Sequence, residues 1–268
     1  MRGIRRPHGC GAASVGSRVY AFGGEDTGVL DPGPSTLFDT ASGKVEEVAA
    51  PPAALQSCAG VACGCLVYSL GGWDVGQHAC LSDVYAYVTD IDRWVAGPAL
   101  PAAARGVAAA EHTGCIYALE GDFTQAMGTP LLMLDPRSRA WSGLPAMPSP
   151  VVGGAHVAVV SGRLYMPGGV VGAHEAGGPR ATMQCYDMVA GRWDTGCAPM
   201  AEVRQCHGVA AVSGEGGSVE VWSVGGVSAL SAKFLSSVEI YNPRLNTWRS
   251  GVRLPHACGY MACTMVTC

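Results

Sequence analysis

Four groups of residues in this 268-residue chain have types and spacing that could do chemistry. Arg105 and Arg204 stand ahead of the small apolar runs Gly106-Val107-Ala108 and Gly208-Val209-Ala210, and Arg6 stands ahead of Pro7-His8-Gly9. A guanidinium at such a recurring place is either a contact for a partner or a donor to backbone carbonyls inside the fold. His156 and His207 occupy related places, where an imidazole could face an enclosed channel or sit as a hydrogen-bonded core residue. Asp74, Gln77 and His78 follow Gly71-Gly72-Trp73 in a polar loop that could touch a partner or simply be solvated. The fourth group is the cysteines, of which there are 12. Cys58 and Cys63 align with Cys258 and Cys263, and Cys10 and Cys206 fall near the same point of their runs. Zinc needs about four converging ligands, and paired Cys-x-x-Cys spacing is absent, so no metal is expected and the sulfurs are read as small, reduced, apolar residues. Ser-His-Asp groupings, phosphate-cradling glycine loops and a prominent acid–base pair are absent too.

Composition narrows the classes further. A chain that is 49% hydrophobic can bury a full core, while 14% charged residues, a net charge of -4 and scattered Lys and Arg give no footprint for nucleic acid or an anionic membrane. The basic start Met1–His8 leads into Gly and Ala rather than an apolar run of signal-peptide length, and no uninterrupted apolar stretch of about 18 residues follows. A cytoplasmic protein with reduced thiols is expected.

What positions these residues is a repeat. With 38 Gly and 17 Pro breaking every helical window, short Val/Ile/Tyr/Trp runs between turn residues dominate, which is the pattern of strands. An aromatic ahead of a glycine pair recurs at Tyr20, Tyr68, Tyr117, Tyr165 and Trp222, and a later tryptophan at Trp94, Trp141, Trp193 and Trp248, both at a period of about fifty residues. Each unit reads as four strands: a small apolar one, one ending in Gly-Gly, one ending in Tyr-Asp or an equivalent, and one bearing the Trp. Such sheets must stack on each other to cover both faces, with small strands at a narrow centre and large residues outside, which describes a β-propeller. Val45 stands where the first unit would have its Trp, and Glu120 replaces the first glycine of the third.

The Tyr-x-x-Gly-Gly segments at Tyr20, Tyr68 and Tyr165, the pairs Tyr186-Asp187 and Tyr241-Asn242, and the run Ile240–Trp248 resemble the kelch repeat over nearly the whole chain. The resemblance implies an all-β fold, a kelch β-propeller forming one domain over residues 1–268. Five recognisable four-stranded blades are expected, at about 9–50, 58–101, 105–148, 153–200 and 206–255. A partial sixth unit, 256–268, would add an extra C-terminal inner strand to an incomplete six-bladed ring, pairing near the first blade or filling part of a gap. It further implies a non-enzymatic protein-interaction module similar to the substrate-recognition part of cullin ubiquitin-ligase adaptors, although the chain has no room for the BTB domain those adaptors carry. Kelch domains present arginines to acidic peptides at the loop rim, so the expected partner contacts are Arg6, Arg105 and Arg204 with Asp74, Gln77, His78, His156 and His207. No cofactor is expected. The alternative is a propeller enzyme acting on a sugar or other small molecule, mutarotase-like or oxidase-like, although the copper-site residues of the oxidase class are not reproduced.

Overall fold

The computed structural model describes residues 8–25, 35–119, 121, 131–149, 151–153, 156–171, 180–214, 217–228, 231 and 233–266. No α-helix occurs among them, and none is long and apolar enough to cross a membrane. Five antiparallel meanders follow one another along the chain. Blade 1 comprises His8–Val15, Arg18–Glu25, Ser35–Asp39 and Lys44–Val48. Blade 2 has Ala59–Cys63, Leu66–Leu70, Val84–Val88 and Arg93–Ala96; blade 3 has Ala108–His112, Cys115–Leu119, Leu131–Asp135 and Ala140–Leu144. In blade 4 the strands are Ala158–Val160, Arg163–Pro167, Met183–Asp187 and Arg192–Asp194, and in blade 5 Gly208–Ser213, Val219–Val224, Val238–Asn242 and Thr247–Ser250. Glu120 lies outside the described residues.

Strand order follows chain order in every blade, and the first strands of all five contribute to the wall of one narrow central channel. The residues there must be small because neighbouring inner strands nearly touch: a Cβ at Gly60 would stand 2.5 Å from the Ala12 backbone nitrogen. Alternation along each strand sends a second set of side chains between blades. Tyr20 and Phe22 of blade 1 meet Tyr87 and Trp94 of blade 2, with Phe22 edge-on to Trp94 at 5.1 Å between ring centroids. Equivalent clusters fill the spaces between blades 2 and 3, 3 and 4, and 4 and 5.

Two recurring devices tie a blade to its neighbour. At the end of the second strand, Gly71 and Gly72 take φ of 56° and 114°, and the Gly72 N–H donates to the Ala104 carbonyl ahead of blade 3 (2.8 Å). A Cβ at Gly71 would stand 2.5 Å from that carbonyl, so both the positive φ and the close approach require glycine. On the outside, each fourth-strand tryptophan donates its indole N–H to the linker leaving the previous blade: Trp94 to Ala49, Trp141 to Pro98, Trp193 to Pro145 and Trp248 to Ala198, all at 2.7–2.9 Å. Blade 1, with the half-exposed Val45 in this place, has no such donor.

The chain after blade 5 takes up the sixth inner place. Gly226 N–H donates to the Cys258 carbonyl (2.8 Å), as Gly72 does to Ala104 and Gly169 to Arg204 (3.1 Å). Tyr260 N–H donates to the Cys206 carbonyl of the blade 5 lead-in (2.8 Å), and the Tyr260 carbonyl accepts from Gly9 N–H of blade 1 (3.3 Å). Thr264 hydrogen-bonds Ser14 Oγ at 2.9 Å. The expected inner strand is therefore in position but forms no ladder with either neighbour. A ladder needs a hairpin partner beside it, and among the described residues no strand pairs with this segment.

Candidate functional site

The mouth of the channel is built from the lead-in to each inner strand. At Gly9, Ser57, Gly106, Cys206 and Tyr260 the backbone takes the same left-handed turn, with φ between 51° and 68°. Backbone bonds link these turns around the mouth: Gly106 N–H to the Ser57 carbonyl (2.8 Å), Ser57 N–H to the Gly9 carbonyl (2.7 Å), then through Tyr260 to Cys206. They surround a cavity of about 280 Å³ lined by Arg105, His156, Cys10, Cys58, Cys206 and Tyr260 among others. Below it the channel continues past Ala12, Gly60, Ala108, Val157 and Cys263.

Arg105 immediately precedes one of these turns. Its guanidinium lies over the Trp73 ring, 5.2 Å from the centroid, and it lines the cavity. This stacking holds a weakly hydrated cation at the rim without enclosing it. Trp73 begins a turn whose register Asp74 fixes: its Oδ1 accepts the N–H of Gly76 (2.8 Å) and of Gln77 (3.0 Å). Gln77 and His78 are exposed on that turn, whereas Asp74 is buried. The reading of Asp74 as a partner contact is thus corrected: the carboxylate is buried, and its Oδ1 is directed at its own loop.

Arg204 is a second correction. It is fully buried, its guanidinium donating to the carbonyls of Gly225 (2.9 Å) and Ser237 (3.1 Å), to Ser237 Oγ (3.1 Å) and to Glu239 Oε1 (2.8 Å), with Glu202 Oε2 at 3.3 Å. The cause is register. Arg204 sits two residues before the turn at Cys206, as Leu55 and Ala104 do before Ser57 and Gly106, and all three are buried. Arg105 sits one residue before its turn, like Gln56 and Gln205, and strand alternation turns that position outward. Sequence placed the two arginines at the same recurring site; they are one residue apart in the frame of the repeat.

His156 lines both the mouth cavity and the channel below it, and burial pulls its pKa down to about 4, so it is neutral near pH 7. His207 stands one residue earlier in the frame of the repeat, at the place Cys58 takes in blade 2, and is fully enclosed beneath Gly168 and Gly226, so it is not open to a partner. Burial, then the proximity of His156 and Arg204, drives its pKa well down, and neither ring nitrogen makes a well-formed hydrogen bond, although the Pro167 carbonyl lies nearby. Arg6 lies outside the described residues.

Sequence reasoning missed Trp73, Tyr260, Met261 and the role of the inner-strand cysteines as cavity walls. The repeat frame held the signal, because Cys10, Cys58, Val107 and Met261 each follow a lead-in turn directly. Burial raises the thiols of Cys58 and Cys206 to about 11 and that of Cys10 in the same direction, which makes them poor nucleophiles. Among the described residues no three His, Cys, Asp or Glu converge to hold a metal ion, and the cavity lining includes no carboxylate.

The blade geometry coincides with a known repeat. The Kelch motif family matches residues 55–101, which hold blade 2 with its lead-in, and residues 220–255, which hold most of blade 5. The chain carries kelch motifs in two of its blades. It is 25% identical over 249 residues to Kelch-like protein 23 of Homo sapiens, an alignment covering 77% of this chain and 43% of the relative, and the mouse protein aligns with the same figures. This chain thus spans less than half the length of the curated relatives it matches.

Proposed function

We propose that this chain is a protein-interaction module whose partner docks on the channel mouth, with an acidic segment of the partner paired to Arg105. The observation that carries the reading is the Arg105 guanidinium held over Trp73 at the wall of the mouth cavity, where a planar cation can meet a carboxylate. His156 would present a neutral imidazole deeper in the same cavity, and the exposed Gln77 and His78 would flank the site from the Trp73 turn. Arg6 belongs to the same proposal as a further rim cation. Kelch repeats and kelch-like relatives support an interaction module in general; the finer reading is a substrate-recognition part for a cullin ubiquitin ligase, acting in the cytoplasm where its thiols stay reduced. The sugar-enzyme alternative gains nothing from this cavity, whose titratable groups are a neutral histidine, thiols, a phenol and an arginine, with no acid–base pair of matched pKa.

Binding of an array of immobilised peptides tests this directly. Acidic peptides should be retained by the wild-type chain and lose about tenfold or more in affinity to Arg105→Ala, with thermal stability unchanged. Equal retention of acidic and neutral peptides, or equal binding by both proteins, would overturn the reading. For the finer reading, capture from cell extract should bring down a cullin scaffold along with the partner; its absence would leave the module unattached to a ligase.

A further inference from the structure

Blade 4 differs from its neighbours at one pair of positions. The middle residue of the third strand lies near the stretch where the fourth strand passes into the outgoing linker. In blade 5 these are Ile240 and Gly251, where a Cβ on the glycine would stand 3.0 Å from Ile240 Cδ1. Blade 3 places Met133 and Leu144 there, both packed in one apolar cluster, and in blade 2 Gly97 packs on Val84. Blade 4 has Cys185 and Cys197. Apolar residues or glycine fill this place elsewhere, so packing alone does not call for two sulfurs.

The surroundings fix both cysteines. Cys185 is fully buried on Met183–Asp187, between blades 4 and 5, among Tyr165, Val221 and Tyr241. Cys197 is only partly buried, and its backbone is held on both sides by one residue of blade 5. Asn246 Nδ2 donates to the Gly196 carbonyl (3.0 Å) and Asn246 Oδ1 accepts from Ala198 N–H (2.7 Å), while Trp248 Nε1 donates to the Ala198 carbonyl (2.8 Å). Both cysteines pack in this one cluster between blades 4 and 5, Cys185 within it and Cys197 against it, close enough for the two thiols to interact. Tyr241 also lies close, but its single hydroxyl proton goes to Asn246 Oδ1 at 2.8 Å, so Cys185 is the donor that matters.

We propose that Cys197 and Cys185 are a reversible dithiol–disulfide pair that hydrogen peroxide closes. The geometry divides the roles. The half-buried Cys197 is the one a small oxidant reaches, and the Cys185 thiol, donating to it, holds its pKa down at about 7. The Cys197 thiolate attacks one peroxide oxygen; an S–O bond forms, the O–O bond breaks, and hydroxide leaves, giving a sulfenic acid. Cys185 then gives up its proton and attacks the Cys197 sulfur. The S–S bond forms as the S–O bond breaks, and the hydroxyl departs with that proton as water. Two thiols lose two electrons, one peroxide becomes two waters, and a thiol reductant reverses the change by exchange. The closed pair would staple the third strand of blade 4 to the linker that blade 5 already grips.

Trypsin cuts after Arg180, Arg192 and Arg204, so the two cysteines fall in separate peptides, 181–192 and 193–204. The folded full-length chain is treated with sub-millimolar hydrogen peroxide, alkylated under denaturing conditions and digested. The cross-linked pair of peptides should appear about tenfold faster than oxidation of the exposed Cys65 and vanish after dithiothreitol. In Cys185→Ala the sulfenic acid at Cys197 should become trappable by dimedone, because its resolving thiol is gone. Oxidation of Cys65 ahead of Cys197, or oxidation of Cys197 to sulfinic acid with no cross-linked peptide in the wild-type chain, would overturn the proposal. The wild-type measurement decides it even if the alanine variant folds poorly.

Discussion

Arg204 brings a full positive charge to a place water does not reach, and Glu239 supplies the compensating charge at 2.8 Å while also accepting the N–H of Ala201 and Glu202. Removing one partner of such a pair strands the other. Arg204→Met is therefore expected to lower stability by about 3–5 kcal/mol in urea denaturation, whereas Arg105→Ala, at the rim, should change it by less than about 1 kcal/mol. If the two cost the same, the assignment of one to the core and the other to the binding face is wrong. The histidines give a second test. Both have folded-state pKa values below the unfolded value of about 6.5, so the unfolded chain binds protons first as pH falls. Their contribution to stability is fully present above about pH 6.5 and is lost as the pH falls towards 4. A His156→Asn variant should show a shallower decline in stability across that window than the wild type, and a parallel decline would remove His156 from the account.

At the scale of elements, the recurring tie between a fourth strand and the preceding linker explains why the most recognisable residues are scaffold. In blades 2 and 5 the tie is reinforced in the same way: Asp92 Oδ1 accepts from Tyr87 and Ala49 N–H (both 2.7 Å), as Asn246 Oδ1 does from Tyr241 and Ala198. Both stand at positive φ, 47° and 52°, which short polar side chains tolerate. Trp94→Phe, which keeps the ring and loses the bond to Ala49, should cost about 1 kcal/mol, and Asn246→Ala, which frees three polar groups, about 2 kcal/mol, read from shifts in denaturation midpoint. Tyr, Gly-Gly and Trp spacing was enough to place these strands. It could not say what the tryptophan nitrogen binds, because the acceptor is a backbone carbonyl some forty to fifty residues earlier, and carbonyls leave no mark in sequence.

For the whole molecule, the junction between blades 5 and 1 depends on the terminal segment. Tyr260 bonds both lead-ins, Cys258 accepts from Gly226, and Cys263 packs so closely on Gly208 that an added methyl would overlap its sulfur. Gly208→Ala should push the segment outward. Labelling of Cys263 by a maleimide, slow in the wild type because burial raises the thiol to about 11, should then accelerate about tenfold. Unchanged labelling would mean that the segment does not rest on blade 5 as described. The mouth cavity should be lost with the same displacement, since Tyr260 and Met261 form part of its wall.

The sequence by itself determined the blades, their number and their internal order, because each rests on local pattern: alternation, turn glycines and aromatic spacing are properties of neighbours along the chain. It also marked the sixth inner segment through the match of Cys258 and Cys263 to Cys58 and Cys63. Only the tertiary structure decided which charged residues face out. A one-residue offset between Arg105 and Arg204 is invisible until the frame of the turns is known, and in a strand one residue reverses the side of the sheet. The meeting of Cys185 with Cys197 and the stacking of Arg105 on Trp73 were decided there too, because both are contacts between segments whose approach the packing of blades sets, and not their spacing in the chain.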